Sequence, residues 1–139
     1  MFTILLVDDD YDEFDLLQSA CQNINANITV TLAGSCDEAL RELKIQCPDI
    51  IFMDINLGGK SGFECLKSIR NTVHVAYVPI LMYSTSKNQS TINEAYLNDA
   101  NLYIVKPYTL EGIEDMIKKI VAMDWKNYSK TTPADFVLS

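Results

Sequence analysis

Apolar residues in this chain follow two periods that alternate from one end to the other. Continuous runs such as Ile4-Leu5-Leu6-Val7, Ile50-Ile51-Phe52-Met53 and Pro79-Ile80-Leu81-Met82-Tyr83 read as strands buried on both faces, as in a parallel sheet. The β-branched stretch 28–33 and the run 102–105 bring the strand segments to five. Between them apolar positions recur at helical spacing. They are Phe14, Leu17, Cys21 and Ile24 within residues 12–24; Ala39, Leu40 and Leu43 ahead of Pro48; and Phe63, Leu66 and Ile69. Ile92, Ala95, Tyr96 and, at the margin, Leu97 follow within residues 88–98, then Ile113, Met116, Ile117, Ile120 and Val121. Helix starts are marked by Ser35 or Asp37, by a Ser61-x-x-Glu64 capping box and by Thr109. Strands alternating with helices of this length imply right-handed crossovers, hence an α/β fold with helices on both faces of a parallel sheet.

The totals narrow the function classes. The 139 residues suit one domain, and 48% hydrophobic content excludes disorder of the whole. A net charge of −8 argues against a basic nucleic-acid surface. No apolar run approaches the ~20 residues of a membrane span, and the amino terminus runs straight into a strand without a basic leader. Cys21, Cys36, Cys47 and Cys65 are dispersed, which suits free thiols in a reducing cytoplasm better than disulfides or a zinc site. The expected layout is a domain over residues 1–125 and a short tail, 126–139, with no output domain. Turn formers make a frayed tail the expectation, although Phe136-Val137-Leu138 offers an apolar end that could dock.

Chemistry gathers where strands stop. Asp8-Asp9-Asp10 follows the first strand, Asp54 the third, Ser84-Thr85 the fourth and Lys106 the fifth. In a parallel sheet those ends share the edge at which ligands bind. Several carboxylates in one crevice are costly without a cation among them, and hard oxygen ligands favour Mg²⁺. Lys106 can meet an anion as a point charge, the hydroxyls can donate to phosphate oxygens, and a carboxylate can act as nucleophile toward phosphorus. Asp10, Asp12, Glu13 and Asp15 read as charges suited to a helix amino terminus. His74 reads as an exposed loop residue, and Trp125 and Tyr128 as cover for the last helix.

The groups Val7-Asp8-Asp9, Met53-Asp54, Gly62, Ser84 and Lys106-Pro107, in this order and spacing, resemble the receiver domain of two-component response regulators over residues 2–122. The resemblance implies a flavodoxin-like three-layer sandwich, a five-stranded parallel sheet in order 2-1-3-4-5 with five helices. It also implies Mg²⁺-dependent transfer of a phosphoryl group from a kinase or phosphotransfer-protein histidine, with Mn²⁺ able to substitute. In that reading Asp54 is the phosphoacceptor, Asp9 binds the metal directly, Asp8 does so through water, and Asn56 lends its backbone carbonyl. Ser84 supplies the switch hydroxyl and Thr85 a backbone N–H, Lys106 pairs with the phosphate, and Tyr103 is the aromatic switch, turning inward as Ser84 moves. The Lys106-Pro107 bond is expected to be cis.

One departure is Gly58-Gly59, where the family often has Pro four residues after the acceptor, so a looser loop is expected there. A narrower resemblance, to the single-domain regulators of phytochrome-type sensor kinases, rests on Tyr83-Ser84-Thr85-Ser86, the stretch 100–107 and Trp125. It implies a cytoplasmic phosphorelay protein that catalyses its own phosphorylation and dephosphorylation without turning over an external substrate. Its implied partners are a sensor kinase or phosphotransfer protein, a downstream protein, and a second copy through the face of the fourth helix, fifth strand and fifth helix; nucleic acid and membrane are not among them. Alternatives read less well. A phosphatase of the haloacid-dehalogenase type needs an aspartate where Asn56 stands, an unphosphorylated receiver-like module would lack part of the site, and FMN phosphate would meet Asp8 to Asp10.

Overall fold

The computed structural model describes residues 1–128 and 132–138. Strands β1 (Phe2–Val7), β2 (Ile28–Ala33), β3 (Ile50–Met53), β4 (Ile80–Ser84) and β5 (Leu102–Val105) alternate with helices α1 (Tyr11–Ile24), α2 (Cys36–Ile45), α3 (Gly62–Arg70), α4 (Gln89–Leu97) and α5 (Leu110–Val121). All pair in parallel in the order β2-β1-β3-β4-β5, and a sixth strand, β6 (Val137–Leu138), adds to the β5 edge. The two-residue side-chain period divides the core in two. Leu5, Val7, Ile51, Met53, Met82 and Tyr103 face α2, α3 and α4. Ile4, Leu6, Phe52, Leu81, Tyr83 and Ile104 face α1 and α5. Every residue of β3, β4 and β5 is buried, which is why these strands are uninterrupted apolar runs.

Helix starts follow their capping signals. Ser35 Oγ accepts from the Glu38 N–H at 3.2 Å, and the Glu38 carboxylate returns to the Gly34 N–H at 2.7 Å, so Ser35 rather than Asp37 is the cap. Ser61 and Thr109 likewise accept from the Glu64 and Gly112 N–H groups. Trp125 covers the end of α5, its indole N–H donating to the Ile120 carbonyl at 2.9 Å. His74 is exposed, as expected, but Leu97 is too, at 77%, and takes no part in the core.

Four expectations are corrected. The described end of the tail, residues 132–138, is docked rather than frayed, with 129–131 and 139 lying outside the described residues: Tyr103 N–H donates to the Phe136 carbonyl at 3.0 Å, and the Phe136 ring is fully buried edge-on to Tyr96. Cys36 and Cys65 form a disulfide, leaving Cys21 and Cys47 as the free thiols. Adjacent packing of α2 and α3 brings their Cα atoms to 5.6 Å, a proximity that a 29-residue separation does not announce. The Lys106-Pro107 bond is trans; an X-Pro bond favours trans unless a turn demands otherwise, and the family's usual isomer is not adopted here. Finally, Gly58-Gly59 makes the tight turn of a small hairpin, Asn56–Leu57 against Lys60–Ser61, with Gly58 at φ +63, a conformation glycine takes without Cβ strain.

Candidate functional site

The sheet register builds the site. Val7 lies opposite both Ala33 and Met53, so β1, β2 and β3 end level, while β4 runs two residues past Met82, the partner of Met53, to Ser84, which lies opposite Val105 at the end of β5. Ladder bonds run one residue further: Asp8 N–H to the Ala33 carbonyl, Asp54 N–H to the Val7 carbonyl, and Lys106 N–H to the Ser84 carbonyl at 2.8 Å. The side chains that leave the sheet at this edge are therefore held by backbone pairing. Asp8, Asp9 and Asp54 each present a carboxylate oxygen within 4.8 Å of the others. Asp8 is buried, Asp54 half-buried and Asp9 exposed, so the cluster opens to solvent on one side.

Asp8 Oδ1 accepts the Asp10 N–H at 2.9 Å, whereas Oδ2 is buried with no hydrogen-bond partner. The Lys106 ammonium lies 3.7 Å from that oxygen, an ion pair too long to count as a hydrogen bond. A buried carboxylate oxygen left in this state is costly in a protein interior. A hard divalent cation would satisfy it, and the all-oxygen donor set of Asp8, Asp9 and Asp54 fits Mg²⁺. Asp54 Oδ1 is held by the Ile55 N–H at 2.8 Å.

Burial pushes the Asp8 carboxyl up from 3.8 to about 6, with the Asp54 charge adding to the rise and the Asp10 N–H and Lys106 opposing it. Burial also raises Asp54, against the pull of Lys106. A carboxyl that holds its proton more tightly when folded stabilises the fold below its unfolded value and loses that contribution as pH climbs through the folded one. Without metal, Asp8 should therefore cost the protein roughly 3 kcal/mol as pH rises from about 4 through about 6. Urea midpoints across that range should fall more steeply for the native chain than for Asp8→Asn, and Mg²⁺ should restore them most at the upper end. Equal slopes for the two chains would show that Asp8 is not the strained group.

Ser84 is buried at the end of β4, and its Oγ accepts the Ser86 N–H at 3.1 Å. Thr85, next along, is exposed. Tyr103 is already inward and fully buried, its hydroxyl donating to the Ser86 carbonyl at 2.8 Å. Asn56 is exposed in the hairpin beside the acceptor. The structure thus gathers Asp8, Asp9, Asp54, Ser84 and Lys106 at one edge, with Asn56 and Thr85 on its rim. Two neighbours were not legible in the chain. Glu13 Oε1 lies 3.4 Å from the Lys106 ammonium, and the Tyr83 ring carries that ammonium 5.2 Å from its centroid. Glu13 reads in sequence as a first-turn helix charge, and Tyr83 as core.

A family model for the response regulator receiver domain matches residues 4–118. The chain belongs to the receiver family. This receiver is 29% identical over 119 residues to the sensory transduction protein LytT of Bacillus subtilis, covering 86% of this chain and 48% of that protein. It is 28% identical over 120 residues to the chemotaxis protein CheY of Pseudomonas aeruginosa, covering 84% and 94% respectively. The receiver spans about half the length of the first curated relatives it matches. Among solved structures it resembles the phosphorylated cyanobacterial phytochrome response regulator RcpA, with a TM-score of 0.78 and 28% identity over 92% of this chain and 96% of that one. The Vibrio cholerae chemotaxis regulator CheY4 gives a TM-score of 0.75 and 27% identity, covering 86% and 98%. The fold is flavodoxin-like, and accepting a phosphoryl group is the general function of such domains in two-component systems. Among the described residues no helix is long and apolar enough to cross a membrane.

Proposed function

We propose that this receiver accepts a phosphoryl group on Asp54 from a histidine kinase or a histidine phosphotransfer protein and signals by protein contact. The observation that carries the proposal is the orphaned Asp8 Oδ2 beside Asp9 and Asp54, with the Lys106 ammonium facing it. An Asp54 carboxylate oxygen attacks phosphorus, the phosphorus–nitrogen bond of the donor phosphohistidine breaks, and the imidazole leaves with the electron pair. Hydrolysis reverses the state: water attacks phosphorus, the acyl phosphate bond breaks, and Asp54 and inorganic phosphate are released. The protein is its own site of reaction and turns over no external substrate.

Asp9 and Asp54 would hold Mg²⁺ or Mn²⁺ directly, Asp8 through water, and Asn56 through its carbonyl. When bound, the metal neutralises the carboxylates and the incoming phosphoryl oxygens. Lys106 pairs with a phosphoryl oxygen, the Ser84 hydroxyl and Thr85 N–H donate to others, and Tyr103 reports the change through its bond to Ser86. The CheY relative, 94% covered, supports a single-domain mode of action, and RcpA supports a phytochrome-type kinase as donor. A homodimer through α4, β5 and α5 would include β6, which lies along that edge; gel filtration with and without beryllofluoride tests it. Incubation with acetyl phosphate and Mg²⁺ should add one phosphoryl mass to the chain and none to Asp54→Asn. A mass gain that survives the substitution would remove Asp54 as acceptor.

A further inference from the structure

The ammonium of Lys106 has two carboxylate claims on it, and one belongs to a residue outside the acidic cluster. Its ion pairs among the described residues are with Asp8 Oδ2 at 3.7 Å and Glu13 Oε1 at 3.4 Å; none joins it to Asp54. The lysine side chain is 12% exposed and that of Glu13 25% exposed, so the pair is shielded from water on most sides. Glu13 is placed there by the α1 start. Asp10 caps the helix through the Asp12 N–H, and the Asp10 carbonyl accepts the Glu13 N–H at 3.2 Å. A Glu at this third position of a helix ordinarily returns to its own capping residue. Here the Asp10 N–H is already taken by Asp8 Oδ1 at 2.9 Å, and the Glu13 side chain reaches the end of β5 instead.

We propose that Glu13 is a positioning residue for phosphoryl chemistry at Asp54: it seats Lys106 on the α1 side and competes with the phosphoryl group for its ammonium. The inference rests on the phosphoacceptor reading above and goes beyond it. Pairing Lys106 with a phosphoryl oxygen means giving up the Glu13 contact, and the free energy of that contact is subtracted from the stability of the phosphorylated state. Asp8 is the more distant claimant, at 3.7 Å against 3.4 Å, and its carboxylate would also serve the cation site. Glu13 thus tilts the balance toward the unphosphorylated form without touching the reacting atoms. A shielded pair of this kind corresponds to an effect of roughly three- to tenfold on binding of a phosphoryl mimic.

The test compares the native chain, Glu13→Gln and Glu13→Asp for beryllofluoride affinity by calorimetry at saturating Mg²⁺, and for the half-life of the acetyl-phosphate-labelled form by intact mass. Glu13→Asp keeps the charge on α1 but withdraws the carboxylate by one methylene, so it separates contact from general field. Both variants should bind beryllofluoride more tightly and lose the phosphoryl group more slowly than the native chain. If Glu13→Gln gains and Glu13→Asp matches the native chain, only a field effect operates and the seating role is overturned. If neither variant differs, the competition does not exist. If the native chain itself takes up neither beryllofluoride nor the phosphoryl group, the phosphoacceptor reading fails first, whatever the variants do.

Discussion

Gly62→Ala should unfold at a markedly lower urea concentration than the native chain and should take up no phosphoryl group from acetyl phosphate. The first residue of α3 packs directly on the acceptor: Gly62 N–H donates to the Ile55 carbonyl at 2.6 Å. A Cβ there would collide with the Asp54 carbonyl oxygen and sit 2.9 Å from both the Asp54 carbonyl carbon and the Ile55 Cα. All of these are backbone atoms, so no flexible side chain can yield. Relief requires moving either α3 or the acceptor itself, at a cost of at least about 3 kcal/mol, the upper part of the range for overpacking. Gly59→Ala is the matched control, because nothing lies within 4 Å of its added methyl; its unfolding free energy should stay within about 0.5 kcal/mol of native. A Gly62→Ala chain that unfolds with Gly59→Ala would mean that the approach of α3 to Asp54 is looser than the geometry requires.

Phe136→Ala should release the carboxyl-terminal strand. Phe136 is the main anchor of a segment otherwise held, among the described residues, by a two-residue ladder, Tyr103 opposite Val137 and Ile104 opposite Leu138, and by partial packing of Leu138 on the core. Its ring is fully buried, stands edge-on to Tyr96 with centroids 5.1 Å apart, and borders a cavity of about 280 Å³ lined in part by Ile92, Leu97 and Pro133. Truncating a buried phenylalanine removes about 3–5 kcal/mol of packing. A terminal segment with so little else to hold it undocks locally before the domain unfolds. The expected signature is amide exchange at Tyr103 faster by at least about tenfold, since its N–H donates to the Phe136 carbonyl, with slower residues of β1 and β3 much less affected. Unchanged protection at Tyr103 would show that the strand holds without its anchor.

The two parts of the molecule probed by these substitutions were not equally visible in the chain. Gly62 belongs to a motif whose spacing is readable, and its place at the start of a helix follows from Ser61 and Glu64. Phe136 lies in a stretch of turn formers, and one aromatic beyond them carries no signal for where it docks. The same division runs through the site. Asp8, Asp54 and Lys106 end strands whose burial is written as unbroken apolar runs, so the parallel register brings them together. Glu13 looks like any acidic residue in a first helical turn, and Cys36 and Cys65 look like any two dispersed cysteines. Cys36 and Cys65 meet only because α2 and α3 land side by side, and Glu13 meets Lys106 only because α1 starts beside the end of β5.

The amino-acid sequence by itself therefore determined the element order, the two-sided core and the acidic edge, because those follow from local periodicity and from which residues stop each strand. Tertiary structure alone decided the sixth strand, the disulfide, the trans Lys106-Pro107 bond, the tight hairpin after Asp54 and the seat of Lys106. Local pattern records how much of a residue is buried. It does not record against which distant residue, and that second quantity is set by packing of the whole domain.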